Sequence, residues 1–315
     1  MAFSEHFEEF HGLPVFEFPD AETTVELPAP ATVAWRLAIE PWDSKHTWPE
    51  TFERFLATVE SAQVRAIVVG AWGESDEDSA PVVAALVEAA DRLPALRALF
   101  VGDITYDENE CSWIHQSDLT PLFGAFPDLE EFGFRGGEQM EFTAVEHTAL
   151  RSLSVQTGGL DAEVVRGIAA SRLPALERLD LWLGTSQYGA TAEIADLEPF
   201  LSGTTFPALR HLGLRNSDMQ DQIAVAVSSA PVVARLTTLD LSMGTLGDEG
   251  AAALLEGQPL THLKTLDLHH HFVSSTLRER LTAALRPYDV EVILTDDEEA
   301  EFDDDREWRY VAVGE

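Results

Sequence analysis

The sequence predicts an α/β protein in which strand–helix units repeat along most of the chain and stack into a solenoid. Three observations predict this class: a recurring apolar spacing, a helix-like segment after many of the predicted strands, and 45% hydrophobic residues over 315 positions. That composition is ample for a large buried core and too apolar for a disordered chain. We expect a horseshoe with a parallel sheet on its concave face and helices on its convex face.

The recurring spacing is a frame with apolar residues at positions 1, 4 and 6, as in Leu236, Leu239 and Leu241. Positions 4 and 6 are two residues apart, so they point to the same face of a strand. The mean interval between frames is about 28 residues, the length of one strand–helix unit. The frames begin at Val64, Leu96, Leu129, Leu150, Leu176, Leu209, Leu236 and Leu263.

Helix-like segments follow several frames. Ser, Asp or Thr stands at their starts, as expected of N-cap residues, and Pro81 suits a first helical turn. Strands joined by helices at a constant period should be parallel, with right-handed crossovers. The interval between Leu129 and Leu150 is too short for a full helix, so 135–147 should be extended or irregular. The predicted helices cover 49–61, 79–92, 161–172, 248–257 and 276–286.

Both ends of such an array need caps, because a bare terminal repeat exposes its core. We expect an N-terminal cap over 1–33, with the aromatic stretch 7–19 as a lid. The solenoid should cover 34–294, with about eight clear repeats and two degenerate terminal ones. Its first degenerate frame is Ala34, Leu37 and Ile39, and its last strand carries Val290, Val292 and Leu294. An acidic flexible linker and an aromatic tail should occupy 295–315.

The stretch 246–255, LGDEGAAALL, resembles the turn and helix start of leucine-rich-repeat proteins of the ribonuclease-inhibitor-like class. In that class the frame usually ends in an asparagine or cysteine that satisfies the backbone of the turn. This chain departs from the pattern, so the turn backbone must find other partners. The position is held by Gly137, Gly158, Gly184, Ser217, Gly244 and His271.

Several longer stretches extend the resemblance over nearly the whole chain. They are GLPVFEFP, AWRLAIEPW, VVGAWGE, SWIHQSDLTPL, LRHLGLRNS, LDLHHHF and WRYVAVGE. Together they resemble a family of bacterial cytoplasmic leucine-rich-repeat proteins that has no assigned biochemical role. Members of that family tend to be encoded near radical-SAM, ATP-grasp and sulfatase-like enzymes. The resemblance implies a pathway enzyme as partner and supplies no catalytic residues.

The charge balance restricts the partners. Fifty-six acidic residues against 20 basic ones give a formal charge of −36. Such a surface repels phosphate backbones and anionic membranes, so we expect neither nucleic acid nor membrane as partner. The N-terminus has no signal-peptide pattern, and we expect a cytoplasmic monomer. Cys111 is the only cysteine, which excludes an intrachain disulfide, and we expect a buried thiol without a role.

No enzyme motif is present in the sequence. The spacing of His6 and His11 does not suit one helical face, so a metal site is not expected there. We therefore predict a non-enzymatic protein without cofactor, metal or catalytic residues.

The repeat frame places two rows of side chains on the predicted concave face. One row is Trp182, Arg215, Ser242 and His269; the other is Asp180, Asp240 and Asp267. Trp and Arg are enriched at interfaces, which favours a protein- or peptide-binding scaffold. Two alternatives stay open. The rows are an ordinary polar lining, or Asp240, Asp267 and His269 form an acid-base or metal site of an enzyme or enzyme subunit.

Two further segments are candidates for binding. Trp113 and His115 lie in the loop after the strand of the frame at Leu96, where Trp113 either contacts a partner or covers a core edge. In the tail, Trp308, Tyr310 and Val313 either fold back to cap the last repeat or form a recognition peptide offered to a partner.

Overall fold

A twelve-stranded sheet, whose strand order follows the chain from β1 to β12, organises the protein. The computed structural model describes residues 5–23, 25–40, 45–303 and 306–314. Parts of the predicted cap, first repeat and acidic tail therefore lie outside the described residues. The strands are β1 (Glu9–Phe10), β2 (Leu13–Glu17), β3 (Ala34–Leu37), β4 (Ala66–Val69), β5 (Ala98–Val101), β6 (Glu131–Arg135), β7 (Ser152–Gln156), β8 (Arg178–Gly184), β9 (His211–Ser217), β10 (Thr238–Asp240), β11 (Thr265–Asp267) and β12 (Glu291–Ile293).

All neighbouring strands from β2 to β12 pair in parallel, as the alternation of strands and helices predicts, while β1 and β2 form an antiparallel hairpin. The described α-helices pack together with frame positions 4 and 6 in one apolar cluster, so they cover one face of the sheet. We call the other face the open face. The helices are α1 (Trp48–Thr58), α2 (Ala80–Glu88), α3 (Pro121–Ala125), α4 (Ala162–Ala170), α5 (Ile194–Leu201), α6 (Gln220–Val227), α7 (Asp248–Glu256) and α8 (Ser275–Leu285).

The predicted register of the eight clear frames is confirmed. Strand pairing aligns their fourth positions in one continuous row: Ile67, Leu99, Phe132, Leu153, Leu179, Leu212, Leu239 and Leu266. Every one of these side chains has 0% exposure. The fold therefore follows from one apolar row that each unit extends by one strand.

The predicted first frame, starting at Ala34, is wrong by two residues. Trp35 pairs with Ile67 and takes position 4, and Leu37 takes position 6. The indole of Trp35 is fully buried and packs against Phe55 with 5.3 Å between ring centroids and a tilt of 60°. The pattern misses this unit because a tryptophan fills the position that Leu, Ile or Phe holds in the other units.

The N-terminal segment does more than close one end of the sheet. Strand β2 is added in parallel to β3 as the next unit of the array. Beyond the hairpin, Phe7 and Phe10 lie on the open face, where Phe7 contacts Phe100 edge-on at 4.7 Å between ring centroids. The predicted lid therefore covers part of the open face.

The sequence makes predictions for two connecting segments, residues 135–147 and the acidic stretch near the C-terminus. The stretch 135–147 is extended, as expected, and pairs through single bridges such as His115–Glu138 and Asp118–Glu141. In the acidic stretch, which the sequence predicts to be a flexible linker, strands β13 (Glu301–Asp303) and β14 (Arg306–Trp308) pair in antiparallel orientation.

Among the described residues, no helix combines the length and apolarity that crossing a bilayer requires.

Candidate functional site

The open face of β8 to β10 carries a charged cluster at its centre. Strand pairing places Asp180 beside Gly213 and Gly213 beside Asp240, so Arg215, two residues further along β9, reaches both acids. Its Nη1 lies 3.3 Å from Asp180 Oδ2, and its Nε lies 3.2 Å from Asp240 Oδ2. Gly213 leaves room for this contact, since a Cβ there would lie 3.1 Å from the Asp180 carboxyl carbon. One guanidinium thus compensates carboxylates of two different strands.

Burial disfavours the charged forms of these three groups, whereas ion pairing favours them. Burial disfavours the charged form of Asp180, but His211 and Arg215 outweigh it and lower the pKa of Asp180. Burial raises the pKa of Asp240, because Arg215 offsets the loss of solvation only in part. Burial also opposes the charge of Arg215, yet Asp180 and Asp240 together raise its pKa. The cluster holds a permanent cation between two acids of unequal strength.

Asp180, His211 and Asp240 each present one ligand atom within 4.8 Å of the others, and all three are buried. Carboxylate and imidazole are common metal ligands. Two guanidinium groups already lie among them, because Arg178 Nη1 is 3.1 Å from His211 Nε2 and Arg215 contacts both acids. A divalent ion would be repelled by both. We therefore interpret the group as an ion-pair cluster.

The structure places Asp240 directly beside Asp267 on the neighbouring strand, and His269 contacts Asp267. His269 Nδ1 lies 2.8 Å from Asp267 Oδ1, whereas Asp240 Oδ1 accepts a hydrogen bond of 2.5 Å from Ser242 Oγ. Each acid is thus bound by the residue two positions further along its own chain, on the same face. Burial alone would raise the pKa of Asp267. The hydrogen bonds from His269 outweigh this effect, so the pKa of Asp267 lies below its ordinary value. An acid-base role for Asp240, Asp267 and His269 stays a prediction.

Trp182 is not an accessible anchor, and this expectation is corrected. Its side chain is only 4% exposed and packs with Cys111, Met243 and Val313 in a separate apolar cluster. The guanidinium carbon of Arg215 lies 5.8 Å from the centre of its ring. Val313 comes from the tail, so the tail covers the tryptophan that the strand pattern predicts to be open.

The C-terminal segment, residues 308–314, crosses the carboxyl ends of strands β11, β10 and β9 in turn. The carbonyl of Tyr310 accepts from His270 Nε2 at 3.0 Å, and the Ala312 N–H donates to the Met243 carbonyl at 2.8 Å. Further on, the Gly314 carbonyl accepts from Ser112 Oγ at 2.8 Å. The segment folds back, as one of the two predictions for the tail has it, and runs along the strand ends. Tyr310 packs edge-on against Phe272 of the last clear repeat at 5.4 Å between ring centroids.

Asn216 fixes the middle of the C-terminal segment and was missed by the sequence analysis. Its fully buried side chain donates from Nδ2 to the Val313 carbonyl at 2.6 Å and accepts from the Val313 N–H at 2.9 Å. Asn216, Met243 and His270 each follow position 6 of their frame by two residues, and all three have φ between 52° and 68°. The same left-handed turn therefore presents three successive anchors. An asparagine at this position is the available sequence signal.

A cleft of about 880 Å³ lies between the C-terminal segment and the loops that follow β8, β9 and β10. Its volume falls in the range of ligand sites. Four aromatic residues, three acids and one arginine contribute to its walls: Tyr106, Tyr188, Trp308, Tyr310, Asp218, Asp221, Glu249 and Arg309. Trp308 is 61% exposed, whereas tryptophan side chains are mostly buried in folded proteins.

The remaining candidates are dispersed. Trp113 is 51% exposed and therefore does not cover a core edge, while His115 Nε2 lies 3.4 Å from Glu138 Oε2. The Cys111 thiol is buried, and burial raises its pKa to about 11. A hydrogen bond to Glu298 raises the pKa of Tyr310 to about 12.

Comparison with known proteins supports the fold and assigns no activity. No protein-family model matches the chain, and no curated protein matches it. Among solved structures, it is similar to a Bacteroides fragilis protein determined by the Northeast Structural Genomics Consortium. That structure has a TM-score of 0.75 and 29% sequence identity, and the match covers 81% of this chain and 71% of the other. The similarity is consistent with a repeat-like parallel α/β sheet.

Proposed function

We propose that the protein is a non-enzymatic scaffold that binds a protein or peptide in the cleft beside its C-terminal segment. The cleft carries this proposal, because it joins a large recess, exposed aromatic surface and main chain from the tail in one place. On the open face, Asp180, Arg215, Asp240 and His269 contact one another or their strand neighbours. These groups are already paired, which favours a structural role for the two rows.

The proposal includes a leucine-rich-repeat solenoid of the ribonuclease-inhibitor-like class. Helices are about 10 Å wide, whereas parallel strands are about 4.8 Å apart. A layer of helices on one face only therefore needs more room than the strands it covers, and the array should curve with the sheet on its concave side. A small-angle scattering profile of a curved particle supports this architecture, and a profile of a straight rod contradicts it.

The resemblance to bacterial cytoplasmic leucine-rich-repeat proteins extends the proposal to the setting. We expect a cytoplasmic monomer whose partner is a pathway enzyme or a peptide that such an enzyme modifies. The binding place differs from the one that the strand pattern alone predicts. It lies at the carboxyl ends of β8 to β10, because the tail has already covered Trp182.

Selection from a randomised nonapeptide library displayed on phage, with the full chain immobilised, tests the proposed function. Gln222 is exposed and lines the cleft, so Gln222→Trp should fill it. Glu279→Trp places the same side chain on an exposed position of α8 as a control. We expect enriched clones that bind wild type and Glu279→Trp and lose Gln222→Trp. Enriched clones that bind all three proteins equally, or no enrichment, would contradict the proposal.

A further inference from the structure

The charges of the cleft are not balanced. Asp221 accepts hydrogen bonds from the N–H groups of Gly247 and Gly250 and forms an ion pair with Arg309 at 3.0 Å. The one arginine of the cleft wall is thereby matched to Asp221, an acid that already accepts from two main-chain donors. Charge that a ligand can neutralise must come from the other two acids.

Asp218 and Glu249 supply that charge. Both are exposed and both line the cleft. Asp218 receives a hydrogen bond from the Ser186 N–H at 3.3 Å, and no described side chain forms an ion pair with it. Glu249 stands in the first turn of α7 and has no hydrogen bond or ion pair within the described residues. A cationic group entering the cleft therefore meets two carboxylates that form no ion pair with any cation among the described residues.

Aromatic surface lies beside these carboxylates. Trp308 and Tyr310 are 61% and 39% exposed, and both line the same cleft. The face of an indole attracts a guanidinium or ammonium group, and the attraction adds to that of a nearby carboxylate. A long basic side chain also covers apolar ring surface with its methylene groups. The cleft thus combines the two surfaces that a lysine or arginine side chain uses.

The main chain of the cleft wall points to an extended ligand. Residues 308–314 all line the cleft. Within the described part of the chain, neither the N–H nor the C=O of Val311 has a hydrogen-bond partner. Main-chain groups in a protein wall are normally paired, and an extended peptide laid beside them supplies the missing donor and acceptor, as in β-strand addition.

We infer that the cleft takes an extended segment of a partner protein that carries lysine or arginine, seated against Asp218, Glu249 and Trp308 and hydrogen-bonded to the main chain of Val311. The inference rests on the proposed function and names its partner class. The formal charge of −36 on the whole chain favours the same partner, since it accelerates the approach of a basic segment.

Two displayed nonapeptide libraries test the inference with the full chain. One permits all residues at each position, and the other replaces Lys and Arg by Gln. We expect enrichment on wild type from the first library alone. For a synthetic peptide of the most enriched clone, Trp308→Ala should weaken binding about thirtyfold, the effect of losing an interface anchor. Asp218→Asn and Glu249→Gln should each weaken it about fivefold, with a smaller effect at high salt.

Glu279→Gln, an exposed acid on α8, is the matched control and should bind as wild type does. Equal enrichment from both libraries, with clones that still lose Gln222→Trp, would overturn the basic partner and leave the scaffold function standing. Unchanged affinity of Asp218→Asn and Glu249→Gln would also overturn it. N-methylation at alternate peptide positions should abolish binding in one of the two registers, and tolerance in both would exclude pairing with Val311.

Discussion

The open face of the sheet is built differently in its two halves. On β3 to β5 it is apolar apart from Arg36, and the chain covers it with its own N-terminal phenylalanines. On β8 to β11 it carries Asp180, Arg215, Asp240, Asp267 and His269, and the chain crosses only the strand ends there. Frame positions 4 and 6 are apolar in both halves. The outward positions between them therefore decide whether a stretch of sheet is closed by the protein itself or stays polar.

Buried charge is also placed differently in the two halves. In the first half, Arg36 Nε contacts the fully buried Asp103 at 2.9 Å, at the strand ends and beside His6. In the second half, Arg215 lies in the middle of the face between two strands. The N-terminal half therefore keeps its charges at the margin of an apolar patch, whereas the C-terminal half is organised around its charges.

Removing the apolar cover should have the largest effect. Phe100 is 2% exposed and contacts Phe7 on the open face. Phe100→Ala should lower the free energy of unfolding by about 4 kcal/mol, the usual cost of a large cavity. Urea unfolding measures the loss, and Phe100→Leu is the conservative control with a cost of about 1 kcal/mol. A loss below about 1 kcal/mol for Phe100→Ala would show that Phe7 and Phe10 do not seal this half.

Removing the cation of the C-terminal half should cost slightly less. Arg215→Met leaves Asp180 and Asp240 buried without a counter-charge, which should lower the unfolding free energy by about 3 kcal/mol at neutral pH. His211 and Arg215 lower the pKa of Asp180 in the folded protein. The ion pair of Asp180 with Arg215 therefore stabilises the fold above the unfolded-state pKa of Asp180, and this contribution is lost as pH falls through the folded-state pKa. The deficit of the variant should therefore shrink toward acidic pH.

The control for this variant is Arg151→Met, which removes an exposed ion pair with Glu177. Exposed pairs contribute about 1 kcal/mol or less, so the two arginines should separate clearly in urea titrations. Equal losses would mean that the open-face cluster is as well solvated as the surface.

Detaching the C-terminal segment at one point should have an intermediate effect. Asn216→Ala removes both hydrogen bonds to Val313 and should cost about 2 kcal/mol, with faster hydrogen exchange at the Val313 amide. Asn216→Asp keeps the acceptor and tolerates the left-handed backbone, so it should retain slow exchange at that amide. Unchanged exchange in Asn216→Ala would show that the segment is held elsewhere.

The smallest effect belongs to the margin of the N-terminal half. The hydrogen bond to Asp103 raises the pKa of His6 above its ordinary value of 6.5. A raised pKa in the folded state gives stability that is present below pH 6.5 and lost as pH rises through the folded value. The difference in stability between wild type and His6→Gln should therefore decline above pH 6.5. A stability difference between the two proteins that does not change above pH 6.5 would show that Asp103 does not stabilise the protonated form of His6.

The sequence was sufficient for the sheet and its register because the signal is local and repeated. Each frame places Leu239 or its equivalent by the same short spacing, and eight frames fix one row. The frame of the first unit was placed two residues too late, because Trp35 fills the position that Leu, Ile or Phe holds elsewhere. Helices α3, α5 and α6 were not predicted, since α3 is short and α5 contains Pro199.

The candidate site was beyond the reach of the same reasoning. The frame places Asp180, Arg215 and Asp240 on one face, and the structure brings these three together. The frame does not reveal that Trp182 is covered, because the covering residue, Val313, lies more than 100 positions further along the chain. Contacts between residues so far apart in the sequence leave no periodic pattern in it. The left-handed turns at Asn216, Met243 and His270 are also held by their contacts with the C-terminal segment, which the repeat frame does not encode.

The closure of Gly314 on Ser112 has a consequence for how the protein is made and unmade. The strands pair with their neighbours in sequence, so stability spreads from unit to unit and the two ends of such an array can melt independently. A hydrogen bond between residues 202 positions apart couples the unit after β5 to the tail. Loss of either end then loosens the middle, which makes unfolding more cooperative. On the ribosome Val313 emerges after Trp182 and Met243, so a chain that terminates before Val313 leaves that apolar surface open to proteases.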